Sequence, residues 1–143
     1  MTREDLQNIA ERYVEVWKRH DAPGVALFHA PDSVAESPMY ATLKGRKAIE
    51  FAAQAFVTSF PDLMFEVDSF VIDPPHVAIF LSANATHMND FFGLPGTNRH
   101  IDFRVAWLIR LNADGLIEYE RRVYDFTGVL LQLGVLRAKP MKP

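Results

Sequence analysis

The sequence predicts an α+β domain in which helices pack on one side of a curved antiparallel sheet. Three observations predict it. In the N-terminal part of the chain apolar residues recur at helical spacing, and from Leu63 onward they alternate in strand-length runs. Turn-forming pairs punctuate those runs at Pro74-Pro75, Asn89-Asp90 and Asp114-Gly115. At 143 residues the chain fits one domain, expected over 1–138 with 139–143 as a loose tail. Such a chain buries roughly 70% of its extended surface on folding.

The first helix is expected over Thr2 to Arg19. Leu6, Ile9, Tyr13, Val16 and Trp17 form its apolar stripe, and Thr2 with Asp5 resembles a capping box. Tyr13 and Trp17 fit core packing, with a pocket wall as the functional alternative. His20 to Gly24 ends this helix, Gly24 to His29 forms a short helical turn, and Pro31-Asp32 breaks it. Ser33 to Glu36 reads as a short strand, followed by a loop through Pro38, Met39 and Tyr40. A second long helix spans Lys47 to Phe60, with Phe56 on its apolar side, and Pro61 stops it. The remainder reads as strands: Leu63 to Asp73, Val77 to Met88, Ile101 to Leu111, and a last strand from Ile117. That strand leads into a short helix ended by Gly134, with Asp125 at or near the junction.

Composition narrows the function. A formal net charge of −3 argues against a nucleic-acid or anionic-membrane surface. Zero cysteines exclude disulfides, thiol nucleophiles and thiolate metal sites. No His/Asp/Glu cluster has ligand spacing, and no phosphate loop, dinucleotide fingerprint or nucleophile elbow occurs, so no cofactor is expected. No apolar run reaches the ~20 residues of a membrane helix. The charged, helical start carries no signal sequence, so a cytoplasmic location is expected, and Asn84-Ala85-Thr86 is read as a chance sequon. Eleven Phe suit either a packed core or a cavity wall.

Three residues are candidates for chemistry. Asp125 has apolar neighbours that would raise its pKa, which suits an acid/base. Its other reading is a cap for the following helix. His87, near the end of a long strand, fits a proton shuttle or enolate donor, or else an exposed rim histidine. Glu36, beside Val34, Ala35 and Pro38, fits a general base at a pocket mouth or an exposed strand-end acid. His20, His29, His76 and His100 are read as solvated. Tyr119, Arg121, Val123 and Asp125 share one face of their strand, with inward and outward orientations both open.

Several motifs, in order, resemble one family. They are Gly45-Arg46-Lys47-Ala48-Ile49, Phe60-Pro61-Asp62-Leu63, Ala85-Thr86-His87, and the loop from Phe92 to Arg99. Asp125, Gly128, Leu130, Gln132, Leu133 and Gly134 continue the series. Together they resemble the SnoaL-like polyketide cyclases. The resemblance implies an NTF2-like cone of curved sheet around helices, with a deep apolar pocket. It implies cofactor-independent cyclisation or isomerisation of a small hydrophobic, polyketide-like carbonyl compound, and a homodimer. A non-catalytic binding module and an epoxide-opening or hydrating enzyme are the alternatives. On this resemblance the essential acid of the cyclases aligns with Arg122, leaving Asp125 as the nearest retained carboxylate. The expected catalytic residues are Asp125, His87 and Glu36. The expected substrate-binding residues are Trp17, Tyr40, Phe56, Trp107, Arg121 and Tyr124.

Overall fold

The computed structural model describes residues 1–137; the expected tail at 139–143 lies outside them. The first helix, α1 (Arg3–Lys18), is capped as its sequence suggests. Thr2 accepts from the Asp5 backbone N–H, and Asp5 accepts in return from that of Thr2. After it come α2 (Ala22–Leu27), β1 (His29–Ser37), β2 (Ala41–Lys44), α3 (Arg46–Ser59), β3 (Met64–Asp73) and β4 (His76–Thr86). Then follow β5 (His100–Leu111), β6 (Ile117–Tyr124) and α4 (Phe126–Gln132).

The six strands form one sheet in the order β2-β1-β6-β5-β4-β3. All neighbours are antiparallel except β1 and β6, which run parallel, so the sheet is mixed where an antiparallel one was expected. Two further elements differ from expectation. β1 continues through Pro31 and Asp32, because its register with β6 slips between His29 and Val34 and the slip accommodates the proline. β2 occupies the expected loop, held by pairing with β1.

The central strands explain where the core sits. Val77, Ile79, Leu81, Ala83 and Ala85 of β4 all face inward, as do Ile101, Val105, Trp107, Ile109 and Leu111 of β5. The helices α1 and α3 cover this face. Aliphatic side chains, including Ile9, Val77, Ile109 and Ile117, fill one end between α1 and the sheet. The other end is not filled.

A bulge in β6 decides what reaches that unfilled end. Arg110 pairs with Tyr119 and Leu111 with Ile117, so Glu118 is an extra residue on β6. An inserted residue reverses the facing of everything beyond it. Ile117 is buried, but past the bulge it is Glu120, Arg122 and Tyr124 that turn inward, while Tyr119, Arg121 and Val123 turn out.

Candidate functional site

The unfilled end is a cavity walled almost entirely by apolar and aromatic groups. α1 contributes Trp17, α3 contributes Ala52 and Phe56, and β3 contributes Phe65. From β5 come Phe103, Val105 and Trp107. Trp17 and Trp107 lie with ring centroids 5.6 Å apart, and Phe65 meets both edge-on at 5.9 and 5.2 Å. At the mouth, Tyr40 packs on Phe92 of the β4–β5 loop at 5.3 Å. The polar groups in the lining are few: Ser37, Tyr40, Tyr124 and Arg122.

Arg122 is held by a buried polar chain. Its Nε donates a short bond to Glu120 Oε2, and the other carboxylate oxygen accepts from the Tyr13 hydroxyl at 2.7 Å. Because Tyr13 spends its proton on Glu120, its oxygen accepts from His29 Nε2, 3.1 Å away. His29 Nδ1 is then the acceptor for Ser33 Oγ at 3.0 Å. This assignment gives each of these groups a partner with His29 neutral. Burial holds the His29 imidazole down to about 4, helped by the Arg122 and Arg46 charges against the pull of Glu120.

Charges in the chain support one another. Burial pushes the Glu120 carboxyl up, but Arg122 and the Tyr13 hydroxyl outweigh it and set the carboxyl below its usual range. Burial also opposes the Arg122 charge, and Glu120 more than restores it. The Tyr13 hydroxyl, pushed up by burial and by Glu120, stays protonated. Tyr124 is likewise pushed up by burial, to about 12, and Tyr40 moves in the same direction for the same reason. Both phenols are therefore donors at neutral pH.

One end of the guanidinium is unsatisfied. The Arg122 side chain is 10% exposed, and its Nη2 is buried with no partner among the described residues. The guanidinium carbon sits 5.2 Å from the centroid of the Trp17 ring, a cation–π contact. Trp17 Nε1 is a second buried donor without a partner. Buried donors left this way cost stability.

Of the expected substrate-binding residues, Trp17, Tyr40, Phe56, Trp107 and Tyr124 line this cavity. Arg121 does not. It lies on the outer face of β6, its Nη2 3.2 Å from Glu36 Oε2, and Tyr119 donates to the same oxygen at 2.9 Å. Glu36 is on that outer face because β1 turns Ser33, Ala35 and Ser37 inward. Asp125 is exposed and caps α4, accepting from the Gly128 backbone N–H at 2.9 Å. A Cβ at position 128 would lie 2.4 Å from Asp125 Oδ2, so the carboxylate would have to turn to admit one.

His87 is fully buried and remote from the cavity lining. Its ring packs on Phe60 at 5.5 Å and Phe91 at 6.1 Å, and Nδ1 accepts from the Thr97 backbone N–H at 3.3 Å. It anchors the base of the β4–β5 loop. Asp125, His87 and Glu36 thus lie in three different places and do not converge on the cavity. His29, expected to be solvated, is fully buried at the centre of the polar chain.

Sequence reasoning gave Ser33 and Glu120 no functional role, set His29 among the solvated histidines, gave Tyr13 to core packing or a pocket wall, and took Arg122 only as the position where the cyclases' essential acid aligns. One signal pointed to two of them: Glu120 and Arg122 share strand parity with Tyr124, an acid and a base one pleat apart. Among the described residues no three His, Asp or Glu side chains group closely enough to hold a metal ion. No helix among them is long and apolar enough to cross a membrane.

Comparison with known proteins completes the picture. The family model for SnoaL-like polyketide cyclase matches residues 7–133. No curated protein matches the chain. Solved structures share its fold at low identity. AclR of Streptomyces galilaeus, named as a candidate hydroxylase, is 24% identical with a TM-score of 0.83, over 97% of this chain and 91% of its own. A Jannaschia protein named for the SnoaL-like polyketide cyclases is 15% identical with a TM-score of 0.81, over 94% and 95%. A Catenulispora acidiphila protein of ketosteroid isomerase-like fold is 16% identical with a TM-score of 0.74, over 88% and 92%.

Proposed function

This chain belongs to the SnoaL-like polyketide cyclase family, and from that premise we propose that its cavity is the active site of a cofactor-independent enzyme. The enzyme cyclises or isomerises a hydrophobic, polyketide-like carbonyl compound through its enolate. The single observation that supports this reading is that one aromatic cavity is lined by the positively charged Arg122 together with the phenol side chains Tyr40 and Tyr124. When a C–H bond between two carbonyls breaks, its electron pair moves onto oxygen. Donors already in position there stabilise that charge in a water-poor site. In cyclisation the enolate carbon attacks a second carbonyl of the same molecule, and the alkoxide formed takes a proton from Tyr124. A water at the open mouth takes the proton at enolisation, and a proton returned from solvent restores the phenol, so the cycle closes without a redox partner.

A second reading, binding without turnover, has one observation in its favour. The cavity lining contains no carboxylate and no imidazole to act as a base.

Deuterium exchange separates the two. Benzoylacetone carries an activated methylene between two carbonyls and a flat aromatic end. With a catalytic amount of protein in heavy water, its methylene signal should disappear by NMR faster than in buffer, and the gain should be lost in Tyr124→Phe. Stoichiometric binding with exchange at the buffer rate selects the binding module.

A further inference from the structure

At the mouth of the cavity two rings on separate hairpin tips meet, Tyr40 and Phe92. We propose that this pair is a gate that narrows the mouth and parts to admit a ligand, with Phe92 as its moving part and the limit on the size of what enters. The gate belongs to the opening of the cavity, whatever chemistry takes place inside. The backbone of Phe92 points to this role first. Phe91 and Leu94 exchange both backbone bonds, each at 2.9 Å, which leaves Phe92 and Gly93 as the two central residues of a tight turn. Their φ angles, 50° and 80°, are those of a type I′ turn, whose first central position suits Asn, Asp or Gly. A bulky aromatic in that conformation is an outlier. Phe92 is also 61% exposed, so burial in the core does not offset the strain. Strain kept at such a position is a mark of function.

The tips are free where their stems are fixed. Below Phe92 the β4–β5 loop is tied down: His87 donates to the Arg99 carbonyl at 2.9 Å, and Asn98 donates to that of His87 at 2.8 Å. The Ser59 carbonyl accepts from the Met88 and Asn89 backbone N–H groups at 3.1 and 3.2 Å. Phe91 is buried against Phe60 and Phe56, with ring centroids 5.1 and 6.4 Å away. Phe92 and Gly93 project beyond this anchor into solvent. Opposite them, Tyr40 rides the β1–β2 hairpin, whose turn closes at Ala41 with a φ of 59°, a second non-glycine residue in the left-handed region. Among the described residues no hydrogen bond joins the two tips. Their link is the ring pair, with centroids 5.3 Å apart. One aromatic contact is weak enough to break and re-form with ordinary loop motion. Closing it over a ligand removes water from the site, and opening it controls entry and release. Because the stems stay fixed, a body wider than the parted tips does not pass.

The chain carries its own reporters of the opening. Its two tryptophans, Trp17 and Trp107, both line the cavity and are 4% and 2% exposed, so collisional quenching of their fluorescence by acrylamide reads passage through the mouth. Phe92→Asn removes the ring and supplies a residue that the turn prefers. Its quenching constant should rise by roughly three- to tenfold, the change in open population expected from losing one aromatic pair. Its urea midpoint should stay at or above that of the parent. Phe92→Tyr keeps a ring against Tyr40 and should quench as the parent does. TEMPOL, a bulkier neutral quencher, should gain more from Phe92→Asn than acrylamide gains. Quenching in Phe92→Asn equal to the parent's overturns the gate. So does a rise that comes with a lower urea midpoint, which is a loosening of the whole fold. Equal gains for the two quenchers overturn Phe92 as the limit on size. Exchange of benzoylacetone is read separately: its absence in a protein whose quenching moves as expected overturns the carbonyl reading and leaves the gate standing.

Discussion

Strand β6 carries two arginine–glutamate pairs back to back. Arg121 reaches Glu36 on the outer face, and Arg122, the next residue, reaches Glu120 on the inner face. The groups are the same and the environments opposite. The outer arginine is 56% exposed, whereas Glu120 is sealed. In water the outer pair gains little, since solvent and salt screen its charges and both side chains lose freedom to meet. Inside, each charge depends on the other, because neither can be buried alone at reasonable cost. One residue of strand parity separates a surface ornament from the polar centre of a cavity.

The sharpest way to break this contrast is to remove one inner partner. Glu120→Gln leaves the Arg122 charge buried without its counter-ion. Losing one partner of a buried pair costs roughly 3–5 kcal/mol, so urea denaturation should show a drop of that size. Removing both charges, as in Glu120→Gln/Arg122→Met, should recover most of the loss. A single variant as stable as the parent would mean that the inner pair is as dispensable as the outer one.

Acid sharpens the same contrast. The folded protein holds His29 neutral down to about 4 against 6.5 in an ordinary histidine. Between those values the unfolded chain binds more protons than the native one, so stability rises with pH across the window and is lost as pH falls through it. The displacement corresponds to about 3 kcal/mol, at 1.36 kcal/mol per pH unit. Glu120, set below its usual range, adds loss in the same direction at lower pH. Denaturation midpoints measured from pH 7 downward should therefore fall, and His29→Gln should flatten the dependence over that window.

Asp125 offers a smaller effect just past the end of β6. Its carboxylate caps α4 in a solvent-exposed position. Asp125→Ala should cost ~1 kcal/mol of stability and leave ligand binding in the cavity unchanged. A large loss of turnover with stability intact would instead return Asp125 to the catalytic role its sequence context suggested.

How much of this was legible follows from which signals are local. The capping of α1 by Thr2 and Asp5, and the inward alternation of β4 and β5, depend on neighbours in sequence and were readable. So was the wealth of aromatic residues, which the structure divides between core and cavity wall. Glu118 is different. Whether a strand residue bulges depends on its partner strand, and Leu111 pairing with Ile117 is not written in β6 itself. Without the bulge, Ile117, Tyr119 and Val123 look like the apolar inner face, and Arg122 looks like an outward charge. His29 was lost for a related reason. It follows a helix end and precedes a proline, as solvated residues do. Only the parallel pairing of β1 with β6 brings it beside Tyr13 and Glu120.

The outer pair supplies the smallest predicted effect and the control for the rest. Glu36 Oε2 accepts from Arg121 and also from the Tyr119 hydroxyl, so the cluster has a second bond that does not need the arginine. All three groups reach water, and any of them left alone can be rehydrated. Arg121→Ala and Glu36→Gln should therefore leave the melting midpoint within experimental error of the parent, with any small difference fading as salt is raised. Because these side chains sit behind the sheet from the cavity, the exchange of benzoylacetone should not move either. A loss of benzoylacetone exchange in Arg121→Ala matching that in Tyr124→Phe would mean that the outer face acts on the cavity through the sheet. The parity of β6 would then no longer account for the difference between its two arginines.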